Sequence, residues 1–289
     1  MNRLIGAILI VISAASFGTL AIFGRYAYAD GMDTFTLLAL RFSIAAVLMA
    51  GILILRGERL PGGRTLAQLI GMGALGYVGQ SFSYLTAIRF ASAGLVALLL
   101  YLYPVFVALL SGIFLREKFT RSKVLALALA TLGAALTANP QGGSWTGILL
   151  AISAAAIYSV YIIVGTGVMQ RVSAFQSSTV IFASAGVVYT ALTLVSGAHL
   201  PQTGAGWGTV GAIVLVATVI PVVAFLAGLQ LIGPTNASML STLEPIVTVL
   251  LAAWLFGEAL PVMSLVGGGL ILAAVLLLAR SELRADIPA

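Results

Sequence analysis

Ten stretches of about twenty mainly apolar residues, divided by short polar or Gly/Pro punctuation, constrain this chain more than any other feature of it. They lie near 4–24, 34–55, 66–88, 92–115, 122–139, 146–169, 174–196, 208–231, 235–256 and 260–280. A helix needs about 20 such residues to cross the hydrocarbon core. Lipid offers no hydrogen bonds to an open backbone, so each stretch must satisfy its own N–H and C=O groups as a helix. The whole 289-residue chain is 61% apolar and 8% charged, where a water-soluble domain carries roughly a quarter charged residues. The expected fold is therefore an all-α integral membrane protein with ten transmembrane helices.

The first stretch also invites comparison with a signal peptide, because Arg3 precedes it and Ala27-Tyr28-Ala29 resembles a small-residue cleavage site. Its apolar run from Leu4 to Phe23 exceeds the roughly 7–15 residues of a signal core, which favours a membrane span. Orientation follows from the basic residues. With a cytoplasmic N-terminus, Arg3, Arg56, Arg59, Arg64, Arg116, Lys118, Arg121, Lys123, Arg171, Arg280 and Arg284 all fall inside, and only Arg25 and Arg89 fall outside. That asymmetry is the positive-inside pattern, and it places both termini in the cytoplasm; the membrane is expected to be a bacterial plasma (inner) membrane. The net charge of +6 is thus loop charge, with no separate basic domain to bind nucleic acid. The chain has no cysteine, which excludes disulfides, thiolate metal sites and cysteine nucleophiles.

Sliding the chain on itself reveals a repeat. At a shift of 140, Ser13-Ala14-Ala15 meets Ser153-Ala154-Ala155, Phe35 meets Phe175 and Phe42 meets Phe182. At a shift of 141, Tyr84 meets Phe225, Pro104 meets Pro245 and Glu117 meets Glu258. Residues 1–141 and 142–289 are then two five-helix repeats. Five is odd, so the second repeat must enter the membrane from the opposite side. Two inverted halves suit alternating access, in which one central site is exposed to each face in turn.

The segments Ala87-Ile88-Arg89-Phe90-Ala91-Ser92-Ala93-Gly94-Leu95, Tyr103-Pro104-Val105-Phe106 with Glu117, and Leu243-Glu244-Pro245-Ile246 with Phe256-Gly257-Glu258 resemble the duplicated domains of EamA-type exporters of the drug/metabolite transporter superfamily. Within that superfamily the chain most resembles the YddG-type exporters of aromatic amino acids. The resemblance covers essentially the whole chain. It implies ten helices, cytoplasmic termini, a central substrate cavity between the halves, and peripheral fifth and tenth helices. It also implies a general role for the Glu-Pro pair, which is widespread in the family.

Ionisable groups inside a bilayer are functional candidates by default. Two lie well within predicted helices, Arg41 and Glu244. Glu244 falls near the midplane of the ninth helix, where a carboxylate could hold a substrate ammonium, carry a coupling proton, or hydrogen-bond a neighbouring helix. Arg41, two turns into the second helix, is expected to be structural and to snorkel toward the headgroups. Glu117 and Glu258 at helix ends are expected to cap helices or pair with bases. Tyr77, Gln80 and Tyr84 share one face of the third helix, and Tyr158, Tyr161, Tyr101, Tyr103 and the line Ser241, Glu244, Thr248 supply further polar positions. Tyr101 and Tyr103 are two apart, so a regular helix cannot turn both toward one cavity. The expected cavity set is Tyr77, Gln80, Tyr84, Tyr101, Tyr158, Ser241 and Glu244, against the plainer reading that buried tyrosines bridge helices. Pro104, Pro221 and Pro245 fall inside predicted helices, and the mates Pro104 and Pro245 are read as paired hinges.

No cofactor is expected. Gly71-Met72-Gly73-Ala74-Leu75-Gly76 fits a dinucleotide fingerprint only as a string; it follows no strand, so it reads as helix-packing glycine. No residues have metal-site spacing, and His199 falls in a loop as a solvated side chain. A membrane-embedded enzyme would need a nucleophile and base, or two acid/base groups within reach, so no catalytic residue is assigned. The leading function is a secondary transporter exporting small organic solutes, chiefly amino acids including aromatic ones, with lipid as its solvent and protons as a candidate coupling partner. Nothing in the sequence requires an oligomer. The alternatives are an exporter of other neutral or cationic drugs and metabolites, a passive channel, or an enzyme.

Overall fold

A computed structural model describes residues 2–114, 121–137, 143–169, 171–241, 243–259 and 261–285. Its helices are α1 (Asn2–Gly18), α2 (Leu20–Ala29), α3 (Thr34–Leu55), α4 (Gly63–Gly71), α5 (Val78–Ala87), α6 (Ala93–Leu100), α7 (Tyr103–Phe114), α8 (Arg121–Thr137), α9 (Trp145–Met169), α10 (Ala174–Ser196), α11 (Gly204–Val214), α12 (Ile220–Ser241), α13 (Leu243–Phe256) and α14 (Val262–Ala285). Two π-helical segments, Met72–Tyr77 and Leu215–Val219, join α4 to α5 and α11 to α12. Among the described residues there is no strand, only an isolated bridge between Ala91 and Gly143. Five helical stretches, Leu4–Ala29, Thr34–Leu55, Trp145–Gly165, Ala174–Ser196 and Gly204–Gly228, are each long and apolar enough to cross a membrane. Exposed positions carry the apolar exterior that a bilayer requires: Leu55, Val195, Leu194 and Trp254 are all at least 79% exposed.

Local sequence explains the helix starts. Asp33 accepts from the backbone N–H of Thr36 at 2.8 Å and so caps α3, Ser92 caps α6 through Leu95, and Ser173 with Gln176 forms a reciprocal capping box at α10. Two expected spans are interrupted where periodicity alone predicted continuity. The first breaks at Thr19 between α1 and α2, and the fourth breaks at Tyr101-Leu102 between α6 and α7. The turn expected at Gly233-Pro234 is not where helix α12 ends; helical backbone continues through these residues to Ser241, and α13 starts at Leu243. Proline fixes φ near the helical value and breaks a helix only by its missing N–H and a steric clash one turn back, so a Gly-Pro pair is a weaker stop signal than its composition suggests. Glu117, with Arg116 and Lys118, lies outside the described residues.

The dominant packing joins the two halves of the chain. Helix α1 lies against α12, α3 against α10, α5 against α9, α6 against α13 and α8 against α14. Small residues permit the closest of these approaches. A side chain at Gly133 would come within 2.6 Å of the Gly267 carbonyl, and one at Gly73 within 2.0 Å of Ser184 Oγ and 2.6 Å of the Ile181 carbonyl. Gly73 therefore sets the distance between the first π segment and α10, while Gly71 faces open space. Within the fingerprint-like string, then, glycine at 73 serves helix packing.

Polar side chains tie the ends of α3 and α10. Glu58, just beyond α3, accepts from the Ser173 hydroxyl at the start of α10 and from Arg56 Nε at 2.8 Å. Those two donors hold its carboxyl below the usual carboxylate range. At the other ends of the same two helices, the His199 backbone N–H donates to Thr36 Oγ1 at 3.0 Å and its Nδ1 lies 4.0 Å from Asp33 Oδ2. The His199 side chain is 61% exposed, as a loop residue should be.

Candidate functional site

The break at Tyr101-Leu102, between α6 and α7, lies beside α13, because α6 packs against α13. Glu244 is the second residue of α13. Pro245 follows it, and Pro104 is the second residue of α7. Pro104, expected inside a helix, thus stands at a helix start, where the missing N–H breaks no hydrogen bond. The discontinuity at Tyr101-Leu102 precedes it. Pro221 lies inside continuous helix just after a π segment, as expected, and its carbonyl accepts from Ser13 Oγ at 2.8 Å.

The Tyr101 hydroxyl spans the gap between α6 and α13. It lies 2.5 Å from the Ser241 carbonyl and 3.0 Å from Glu244 Oε2, one phenolic proton serving two acceptors. Gly18 lets α1 approach the same turn, since a Cβ there would lie 2.9 Å from the Glu244 carbonyl. Thr248, expected to share a face with Ser241 and Glu244, turns its hydroxyl to the Gly18 carbonyl at 2.8 Å and holds α13 to α1. It lines neither chamber described below.

Glu244 borders two adjoining chambers. The larger, of about 520 Å³, is lined by Tyr77, Tyr101, Tyr103, Tyr158, Tyr161, Phe17, Phe182, Phe225, Ser241 and Glu244 among others, and it reaches Val172, Ala174, Ser177 and Ser178 at the start of α10. The smaller, of about 110 Å³, is bordered by Arg41, Gln80, Ser81, Tyr84 and Leu100 and shares Tyr77, Tyr101, Tyr103, Tyr158 and Glu244. All seven expected cavity residues, Tyr77, Gln80, Tyr84, Tyr101, Tyr158, Ser241 and Glu244, border one chamber or both. Tyr101 and Tyr103 both do so as well, contrary to the helical-face argument. The helix ends at Leu100, so the 100° step between residues does not apply across Tyr101 and Leu102.

The aromatic lining is continuous. Ring centroids are 5.7 Å apart for Tyr101 and Tyr103, 4.9 Å for Tyr103 and Tyr158, 5.8 Å for Tyr158 and Tyr161, and 5.8 Å for Tyr161 and Tyr77. Tyr77 continues to Phe42 at 5.3 Å and Phe182 at 6.0 Å. Edge-to-face and offset rings of this kind hold one another rigidly and leave π faces and hydroxyls for a guest. Other tyrosines serve structure. Tyr189 donates to the Val78 carbonyl at 2.6 Å and Tyr28 to the Leu85 carbonyl at 2.9 Å.

Arg41 departs most from expectation. It does not snorkel to a headgroup; it is 3% exposed, and its Nε donates to Thr218 Oγ1 at 2.9 Å. It borders the smaller chamber together with Glu244. The available signal was its charge inside an apolar helix; its direction could not be read, because Thr218 lies 177 residues away. Glu258 does find a base, pairing with Arg25, whose guanidinium also stacks over Phe256 at 4.4 Å. Its carboxylate further approaches the Ala93 and Gly94 backbone N–H groups that open α6, so the ends of α2, α6 and α13 are tied together. No group of three potential metal ligands occurs among the described residues.

Removing the Tyr101 hydroxyl tests the bridge. Tyr101→Phe is expected to lower stability by about 1–2 kcal/mol, since the Ser241 carbonyl and Glu244 lose a buried donor. A thermal unfolding midpoint unchanged from that of the parent in detergent would show that water replaces the hydroxyl.

Comparison with known proteins agrees with this architecture. An uncharacterized transporter of Archaeoglobus fulgidus is 29% identical over 278 residues, covering 94% of this chain and 95% of the relative. A protein named as a probable terminal-alkyne amino-acid exporter, from Streptantibioticus cattleyicolor, is 27% identical over 88% of this chain and 86% of its own length. A solved crystal structure superposes with a TM-score of 0.68 at 19% identity, covering 98% of this chain and 99% of that one, and so shares the fold. The profile of the EamA-like transporter family matches the chain twice, over residues 4–139 and again over 145–280. The protein is a multi-pass membrane transporter that belongs to the EamA-like transporter family.

Proposed function

We propose that the protein is a secondary transporter that exports small organic solutes, chiefly amino acids including aromatic ones, by alternating access between two inverted five-helix halves. The observation that carries the substrate class is the larger chamber, where one carboxylate, Glu244, stands against a continuous wall of tyrosine rings. A carboxylate at a membrane depth where charge is costly offers a strong partner for an ammonium. The rings offer stacking surface and hydroxyls to an aromatic side chain. The amino-acid exporter named among the relatives agrees with this choice.

The inverted repeat draws support from packing. Each principal contact joins a helix of residues 1–141 to one of 142–289. The two π segments lie about 140 residues apart, as do the caps Asp33 and Ser173 and the residues that reach them, His199 and Glu58. With cytoplasmic termini, the start of α10 is a cytoplasmic end, so the larger chamber reaches toward the cytoplasm. The Arg25 and Glu258 pair then closes the opposite face. This is the loading arrangement of an exporter, with Pro104 and Pro245 as the paired hinges about which the halves rock.

A panel of aromatic, aliphatic and cationic amino acids in proteoliposomes, with and without a pH gradient, tests the reading. Saturable flux with aromatic amino acids preferred is the expected result. Non-saturable flux would indicate a channel, and a preference for cationic amino acids or amines over zwitterions would indicate a cation exporter.

A further inference from the structure

We propose that Arg41 is the carboxylate-binding pole of the chamber, so that the site takes a zwitterion with its carboxylate on Arg41 and its ammonium on Glu244. This rests on the transport reading of the same chamber.

Three observations lead to it. The first is the cost of Arg41 as it stands. A guanidinium in a membrane span is retained where it has partners, yet among the described residues its only hydrogen bond runs from Nε to Thr218. Its two terminal amino groups make neither a hydrogen bond nor an ion pair there, and they are not closed off from the adjoining chamber. The second is how firmly the near side of the guanidinium is held. Thr218 belongs to the second π segment, and its hydroxyl proton is committed to the Ile213 carbonyl five residues back, at 2.8 Å. The hydroxyl oxygen is thereby left to accept from Arg41. The guanidinium carbon also lies 4.8 Å from the centre of the Phe42 ring. With Nε occupied, the open edge is the end-on pair of amino groups, which matches the two oxygens of a carboxylate.

The third observation is the relation to Glu244. Both charges border the 110 Å³ chamber, but no ion pair joins them among the described residues. Two opposite charges facing one cavity without meeting leave room for a guest that carries the complement of each. The tyrosine wall beginning at Tyr77, Tyr101, Tyr103 and Tyr158 borders both chambers and can receive the guest's side chain.

The test compares phenylalanine, 2-phenylethylamine and 3-phenylpropionate, which keep one ring and remove one charge at a time, by titration calorimetry on full-length protein in nanodiscs. Arg41→Gln is expected to weaken phenylalanine and 3-phenylpropionate by roughly ten- to a hundredfold, the range for losing a charge-assisted pair, and to leave 2-phenylethylamine no weaker. Retained amine binding shows that the variant is folded. Thr218→Val should weaken the two carboxylates in the same direction by loosening the guanidinium. Equal weakening of all three ligands, or unchanged phenylalanine binding in Arg41→Gln, overturns the assignment. Binding of phenylalanine that ignores Arg41 would leave the amino-acid reading intact. Arg41-dependent binding of 3-phenylpropionate by a protein that takes no phenylalanine would overturn that reading and leave the anchor standing.

Discussion

Glu244→Gln is expected to cut amino-acid flux into or out of proteoliposomes by roughly ten- to a hundredfold, while the purified protein unfolds at close to the same temperature as the parent. Glutamine keeps the side-chain volume and can still accept the Tyr101 hydroxyl now 3.0 Å from Oε2, so packing at the start of α13 survives. What disappears is the negative charge, and with it the partner for a substrate ammonium. The same variant separates substrate binding from proton coupling. If Glu244 also carries the coupling proton, an imposed pH gradient should change parental flux far more than that of the variant. Equal responses would assign the residue to substrate alone, and undiminished flux over several substrates would remove it from the mechanism.

Gly73→Leu should be the most damaging of the packing changes, costing about 2–3 kcal/mol through overpacking. Its Cβ would already lie 2.0 Å from Ser184 Oγ and 2.9 Å from the Ile181 Cα. Backbone cannot rotate away as a long side chain can, so the first π segment and α10 must separate. Gly71→Leu is the internal control: it adds the same side chain two residues away, where nothing lies within 4 Å of the new Cβ. It is expected to be neutral or slightly stabilising, since leucine is the better helix former. Thermal unfolding in detergent should therefore separate two variants whose compositions are identical. Similar midpoints would mean that α10 can shift without loss, and that the close approach at Gly73 is not what holds this interface.

Much of the chamber was legible from residue type and spacing. Tyr77, Gln80 and Tyr84 at three- and four-residue intervals must share a face of a helix, and a polar face within lipid turns inward. Glu244 declared itself by charge. Phe17, Phe182, Phe225, Ser177 and Ser178 also line the larger chamber, but apolar or small residues in an apolar chain carry no mark that separates a cavity wall from a lipid-facing or packing position. Glu258 could be expected to meet a base, yet its partner Arg25 lies 233 residues away, beyond any local pattern.

The amino-acid sequence by itself determined that the chain is a helical membrane protein, where its apolar spans lie, and the near-140-residue spacing that relates its halves. Lipid acts on each residue separately, so length and composition suffice to reveal a span, and a shared Pro and Glu spacing survives in the order of residues. Only the tertiary structure decided which way the charged and aromatic groups point. The break at Tyr101-Leu102 brings Tyr101 and Tyr103 into one chamber. A threonine in a π segment of the other half holds Arg41 toward the chamber and away from lipid. Such directions depend on contacts between distant parts of the chain, and helical periodicity describes only a residue's neighbours within its own turn.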